Sequence, residues 1–504
     1  MISVFFTANN EMYPEVKALC TCSAAQRRVV ETRAYAELIA SFAVDICARY
    51  TWRQLSTNVL IGRSTDEPVW KAANDRARRQ EVERLLAQLN VEALRARASS
   101  LRGGMSCTTP HLRYDKATIS DIMGGTNYHI PISFADGATW MCRIRRCNVA
   151  APAPDLQNHI IQSEVATLRF LATTRVPVPH VHDFGVHSAD NLVGVPYILM
   201  DKMKGHPFYF PELRPFQKRK ILEQYADIVI ELSHHPFPSI GCLRISEHGC
   251  SVGPIVFENH ASRSRDGSLC LPGPYPSSAQ YRRDITLRHL EQIRANETDP
   301  KQRLDSYVMH LFLLENVSAI AKLEDASGSA FFLKHMDDKG DHLLVDDDWN
   351  LTGIIDWEWA QACPKAEAFS APLCLVSTVD YHNGDNSLGP DEVDFAEILD
   401  SKGAHELAGY VRNGRIEHRI THCIGCDIPD RKMFAQTFTA LCGVLPGYKG
   451  ERDWQTWKRH ALHKYHQDAG LQHILHSEAE AEAADAYMPE SQHVVPYDFA
   501  LRWS

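Results

Sequence analysis

The chain has no apolar run as long as a membrane span requires, and its opening, MISVFFTANNEMYPEV, carries only a short apolar stretch with no basic segment. Neither a membrane helix nor a secretory leader is expected, and the cytoplasm is the expected compartment. Strong charge is missing as well. A formal net charge of −10 over 504 residues is modest and of the wrong sign for a nucleic-acid surface, so no nucleic-acid partner is expected. No internal repeat or long low-complexity tract argues for a solenoid. A disulfide framework is lacking too: the 14 cysteines are scattered among apolar neighbours, as at Cys47, Cys142, Cys374 and Cys442, and read as reduced core residues. Cys20/Cys22 and Cys423/Cys426 are close pairs without a second pair at zinc-finger spacing.

What is present suits an enzyme. With 44% hydrophobic and 23% charged residues, the chain can bury a large core and should divide into two lobes plus extensions. The most informative stretch is FFLKHMDDKGDHLLVDDDWNLTGIIDWEW, Phe331 to Trp359. Its apolar runs Ala330–Leu333, His342–Val345 and Leu351–Ile355 read as strands around a polar loop, His335–Asp341, and a charged tip, Asp346–Asp348. Moving a phosphoryl group takes one carboxylate to orient and deprotonate the attacking hydroxyl and oxygen ligands to hold Mg2+ against the phosphates. Asp337 suits the first role and Asp356 the second. Asp338, Asp341 and Asp346–Asp348 taken singly read as solvated turn residues. A zinc site built on His335 and His342 lacks a second pair of ligands.

At His335-Met336-Asp337, His342 and Gly353–Ala360 (GIIDWEWA) the chain resembles the H-x-D, metal-ligand and D-x-x loops of the aminoglycoside phosphotransferase-like family, relatives of the protein kinases. The resemblance covers roughly Leu94 to Lys402, in a fungal-type branch. It implies Asp337 as catalytic base, Lys339 facing the γ-phosphate, Asp356 on Mg2+, and His342 where the family places an asparagine metal ligand. ATP or GTP is the implied co-substrate, and the implied partner is a small-molecule hydroxyl acceptor.

Upstream, Asp121 to Ile132 reads as strand, Gly124-Gly125 turn and strand, followed by a hairpin tip at Ala135-Asp136-Gly137 and a third strand, Thr139–Arg145. Backbone N–H groups of Gly124, Gly125 and Thr126 can cover phosphates, because glycine lets the chain come close. By the resemblance Arg143 stands for the family's lysine, Glu164 on the helix Gln157–Ala172 pairs with it, and the segment from Met200 to Met203 is the hinge against which a base lies. Phe216–Leu232 reads as a helix ending before His234-His235, whose position favours histidine for dipole reasons. Phe237–Leu243 resembles the family's F-P-x-I-G-x-L segment, Pro254–Pro276 is an excursion near the cleft mouth, and Ser306–Leu323 is the helix beneath the loops.

The expected fold is α+β and two-lobed, protein-kinase-like. Residues 1–93 form an N-terminal helical extension, 94–203 a small antiparallel-sheet lobe with one helix, 204–402 a large, mainly helical lobe, and 403–504 a C-terminal helical extension and tail. Apolar stripes at Tyr35, Leu38, Ile39, Phe42 and Ile46, and at Val82, Leu85, Leu86 and Leu89, should pack on the small lobe or a partner. The acidic residues Asp380, Asp385, Asp391, Glu392 and Asp394 read as a solvated loop or as an attraction for a cationic amine. Two functions compete: a small-molecule kinase, supported by Asp337 with Asp356, and a pseudokinase binding module, supported by His342 and Arg143 at positions where the family has Asn and Lys.

Overall fold

The computed structural model describes residues 67–115, 122–148, 151–247, 249–295, 302–325, 330–424 and 431–486. The stripe from Tyr35 to Ile46, Cys20, Cys22, Cys47, Asp121 and Cys426 lie outside the described residues.

Two helices come first, α1 (Glu67–Gln88) and α2 (Val91–Leu101), the second capped by Asn90, whose side chain accepts from the Ala93 N–H at 3.0 Å. A five-stranded antiparallel sheet follows, ordered β1 (Cys107–Thr108), β2 (Asn127–Phe134), β3 (Thr139–Arg145), β5 (Tyr197–Asp201), β4 (Val181–Gly185). Side chains alternate across a strand. Tyr128, Ile130, Ile132, Cys142, Ile144 and Leu199 therefore share one face, and they pack with Val82 and Leu85 of α1, Leu89 just after it, and Leu94 and Ala98 of α2. The charged helix α1 is thus a cover for the sheet. It is pinned there by buried Glu81, which accepts from Tyr128 Oη at 2.7 Å and from Arg146 at 2.7 and 2.9 Å. The same alternation turns Arg143, opposite His129 on β2 and Ile198 on β5, toward the other face. Helix α3 (Pro154–Leu171), with Pro154 in its first turn, lies there and packs Ile161, Val165 and Leu168 against Ile198 and Met200. Each such buried side chain stabilises by roughly 1.5–3 kcal/mol.

After β5 the chain crosses to the larger, mainly helical lobe through Gly205, whose φ of +98° is the left-handed region that favours glycine; a Cβ there would meet the Val345 carbonyl at 2.6 Å. Helix α4 (Pro215–Ser233) leads to the hairpin β6 (Leu243–Ser246) and β7 (Gly249–Val252). The excursion carries the two-residue strands β8 (Ser262–Arg263) and β9 (Leu269–Cys270) and precedes helices α5 (Ser278–Arg294) and α6 (Arg303–Asp325). Next come β10 (Phe331–His335), β11 (Leu343–Val345), β12 (Leu351–Ile354) and β13 (Ala360–Pro364). β11 and β12 form the expected hairpin about the acidic tip. β10 runs two residues further than expected, to His335, because it pairs with β13, a strand that the apolar runs did not signal.

Beyond a short α7 (Lys365–Ala368) and α8 (Thr378–His382), the helices α9 (Pro390–Ser401), α10 (His405–Arg412), α11 (Arg415–Ile424), α12 (Arg431–Val444), α13 (Trp454–Lys464) and α14 (Ala469–Ala486) complete the lobe. Phe312 of α6 sits among Phe438, Tyr448 and Trp457 at 5.0, 5.5 and 5.1 Å between centroids, so the C-terminal helices share the core beneath the loops. The architecture is α+β and two-lobed, an antiparallel-sheet lobe with α3 against it and a larger, mainly helical lobe. No helix among the described residues is long and apolar enough to cross a membrane, and the described cysteines are free thiols.

Candidate active site

The loop after β10 is built on its buried residues. His335 contacts the Ile355 carbonyl through Nε2 at 3.0 Å and lies edge-on to Trp357. Asp338, read as a solvated turn residue, is instead buried; it accepts from the Leu373 N–H at 3.1 Å and pairs with Lys334 Nζ at 3.2 Å. That anchoring matters because neighbouring side chains in an extended loop diverge, leaving Asp337 to Lys339. Their separation is 2.8 Å, and Asp341 is 3.4 Å from the same ammonium. Burial, and secondarily the charges of Asp356 and Asp341, push the Asp337 carboxyl up to about 7 against the pull of Lys339. A carboxylate poised near neutrality can take a proton from a hydroxyl and release it again.

Asp356 leaves β12 with φ 67° and ψ 46°, a left-handed conformation that costs a non-glycine residue roughly 1–2 kcal/mol. Backbone hydrogen bonds hold it there, from Ile355 N–H to the His342 carbonyl at 3.0 Å and from Ile354 N–H to the Pro177 carbonyl at 2.7 Å. Its Oδ1 accepts from Arg143 Nη2 at 2.5 Å, while the side chain is still 31% exposed. Burial works to raise its carboxyl, but the charges beside it, Arg143 foremost, outweigh burial and hold it below the usual carboxylate range. Asp356 is thereby ionised and within reach of solvent.

Arg143 is the hub. Its guanidinium is 4% exposed and pairs with Glu164 of α3, with Asp356, and with Glu358 at 3.1 Å. A buried cation needs this much compensation. Burial pushes the Glu164 carboxyl up, the Arg143 guanidinium pulls it down, and the nearby Glu358 and Asp356 add to the rise. The neighbouring His129 is pushed down to about 4 by burial and then by Arg143, and so is neutral.

The glycine turn lies over this cluster. Gly124 N–H donates to the Asn127 carbonyl at 2.8 Å, and a Cβ on Gly124 would crowd that carbonyl at 3.2 Å. The Gly124 and Gly125 carbonyls accept from Arg146 at 3.2 and 2.8 Å, and Thr126 Oγ1 donates to Glu358 at 3.0 Å. Met200 is on β5, and Met203 sits against Gly353 of β12, where a Cβ would meet Met203 Cε at 2.8 Å. A small pocket is lined by Asn127, Arg143, Arg145, Glu164 and Glu358 among others.

His342 is 3% exposed and stacks on His335 at 4.2 Å between centroids. Neither of its ring nitrogens has a hydrogen-bond partner among the described residues. Burial pushes it well below the ordinary histidine value, so the ring is neutral. It lines a cavity with Tyr225, Lys334, Asp338 and Phe395. Among the described residues, no three His, Cys, Asp or Glu side chains converge as a self-sufficient metal cage would require. Mg2+ does not require one, since one or two carboxylates with waters and phosphates suffice, and the partly exposed carboxylate of Asp356 fits that pattern.

Arg145 and Glu358 are the residues that sequence reasoning passed over. Arg145 lies two positions after Arg143 on the same strand face, and Glu358 two positions after Asp356; both spacings were visible. Of the acidic residues that follow, Glu392 is fully buried against Arg415 at 2.5 Å and Asp391 pairs with Lys218 at 2.7 Å, while Asp385 and Asp394 are exposed. His235 of the histidine pair contacts Glu231 at 3.1 Å.

Residues 136–364, under half of the chain, match the model of the Phosphotransferase enzyme family; the match takes in Arg143, Glu164, Asp337 and Asp356 and starts after the glycine turn. Among solved structures, the chain is similar to a Plasmodium vivax ethanolamine kinase (13% identity, 65% of this chain and 82% of that one, TM-score 0.37). It is also similar to wild-type aminoglycoside 2'-phosphotransferase-IIIa in a GDP complex (14%, 69% and 98%, TM-score 0.35) and to APH(2")-IIa in a ternary complex with streptomycin and ATP (14%, 70% and 96%, TM-score 0.37). No curated protein matches the chain.

Proposed function

We propose that this protein is a small-molecule phosphotransferase of the cytoplasm that moves the γ-phosphoryl group of ATP or GTP to an acceptor hydroxyl. The observation that carries the reading is Asp337, a nearly buried carboxylate raised to about 7, touching Lys339 and set beside a loop whose Asp356 is ionised and partly exposed. The acceptor oxygen attacks the γ-phosphorus, the bond from that phosphorus to the bridging oxygen breaks, and the nucleoside diphosphate leaves. Asp337 orients the hydroxyl and takes its proton. Lys339 offers its ammonium to the transferring phosphate, and Arg143, held by Glu164, aligns the nucleotide beneath Gly124, Gly125 and Thr126, with Met200 and Met203 flanking the base. Asp356 and, once a ring nitrogen is uncovered, His342 are the residues that would hold Mg2+, which when bound neutralises phosphate charge.

One observation favours a second reading, a nucleotide- or partner-binding pseudokinase: Arg143 is already engaged by three carboxylates, and His342 is hidden from solvent. A metabolite screen with γ-labelled ATP separates the two. Label on a small molecule with the wild type and none with Asp337→Ala supports the enzyme; no labelled product from any pool, with nucleotide still bound, supports the pseudokinase.

A further inference from the structure

We propose that Glu358 is a positioning residue, a clamp from the large lobe that fixes both the glycine turn and the paired arginines of β3. The contacts stand by themselves; only the purpose given to them rests on the phosphotransferase reading. Glu358 lies in the Trp357–Trp359 turn, is 2% exposed, and is reached by four donors of the small lobe. Thr126 Oγ1 donates at 3.0 Å, Asn127 Nδ2 at 3.3 Å and Arg143 Nη2 at 3.1 Å, and Arg145 Nη1 is in direct contact. A single salt bridge does not need such a set. The donors come from the end of the glycine turn, the start of β2 and two positions of β3, so one carboxylate sets how these elements stand over the cleft.

Arg145 extends the clamp outward. Its other terminal nitrogen reaches Glu258 at 2.6 Å, its guanidinium lies 5.4 Å from the centre of the Trp359 ring, and that ring is edge-on to Phe257. The excursion at Pro254–Pro276 is therefore fastened to the same point. Without the charge of Glu358, two arginines on one strand face would lose the counter-charge between them, and the hydroxyl of Thr126 would donate to a weaker, neutral acceptor. A glutamine at 358 keeps the volume and the neutral hydrogen bonds while removing the charge.

Amide hydrogen exchange on the ligand-free full chain tests this. Glu358→Gln should speed exchange across 123–130 by about tenfold, and Thr126→Val, which cuts the clamp from the other side, by about threefold, with β10 unchanged in both. Exchange within about twofold of wild type in that segment, or a uniform rise over the whole chain, would overturn the clamp. If the first variant does not fold, the second decides. Calorimetry with ATP and Mg2+ adds the functional arm: Glu358→Gln should weaken nucleotide binding about tenfold while kcat changes by less than about threefold, and an equal loss in kcat would overturn the positioning role. Failure of the wild type to bind nucleotide, with the exchange response intact, would sink the phosphotransferase reading and leave the clamp standing.

Discussion

Arg143 and Asp356 stand 213 residues apart in the chain and meet at 2.5 Å, joining the third strand of the small sheet to the loop that ends β12. Removing the cation, as in Arg143→Met, leaves three carboxylates facing one another in a nearly dry site. Such a loss costs about 3–5 kcal/mol. Arg143→Lys keeps the charge but cannot fork to Glu164, Asp356 and Glu358 together, so it should recover only part of that stability. Chemical denaturation of the three proteins checks the order.

Asp337→Asn should lower phosphoryl transfer by about 10²- to 10⁴-fold while nucleotide affinity stays within about threefold. Turnover and calorimetry on the same preparations test both halves. A variant that turns over at the wild-type rate would remove Asp337 from the mechanism.

The raised carboxyl of Asp337 makes two pH dependences of opposite sense. Activity should rise with pH through about 7 as the base loses its proton. Stability runs the other way: between its ordinary value and about 7 the folded state holds a proton that the unfolded chain has released, so this contribution is complete at low pH and is lost as pH rises through about 7. Asp337→Asn should flatten the thermal-midpoint profile between pH 4 and pH 8. A profile unchanged by the substitution would mean the carboxyl titrates normally.

His342→Leu should be neutral or raise the unfolding midpoint, because both nitrogens of a buried, neutral ring lack partners among the described residues and removing them relieves a cost of about 1–3 kcal/mol set against the lost stack on His335. Activity separates ligand from filler. If a ring nitrogen turns to the metal, His342→Asn keeps Mg2+-supported turnover and His342→Leu loses it; equal turnover in all three proteins would make His342 a packing residue.

Local signals explain what could be read in the sequence. The third strand was legible because Trp140, Cys142 and Ile144 alternate with Thr139, Met141, Arg143 and Arg145, and the hairpin of β11 and β12 because its tip is a run of turn-forming residues. The stripe Val82, Leu85, Leu89 announced a buried face on a charged helix, and the structure supplies its partner in the sheet. What escaped is non-local. β13 pairs with β10 across an intervening hairpin, and no feature of Ala360–Pro364 alone marks it as a strand. Asp338 looked like one more solvated acid, since only the fold brings Lys334 and the Leu373 amide to it. Arg145 and Glu358 were passed over because the expectation of one cation and one carboxylate stopped the count at Arg143 and Asp356.

The segment that matches the family model begins at residue 136, so its first strand, β3, would be left without the neighbour that pairs with it over seven positions from Asn127 to Ser133. At its far side, Phe312 would lose the rings of Phe438, Tyr448 and Trp457. What can be recognised and what can stand up by itself are here two different lengths of chain. Grafting the recognisable stretch into another scaffold would transplant Arg143, Asp337 and Asp356 and leave behind the strand and the rings on which its two ends pack.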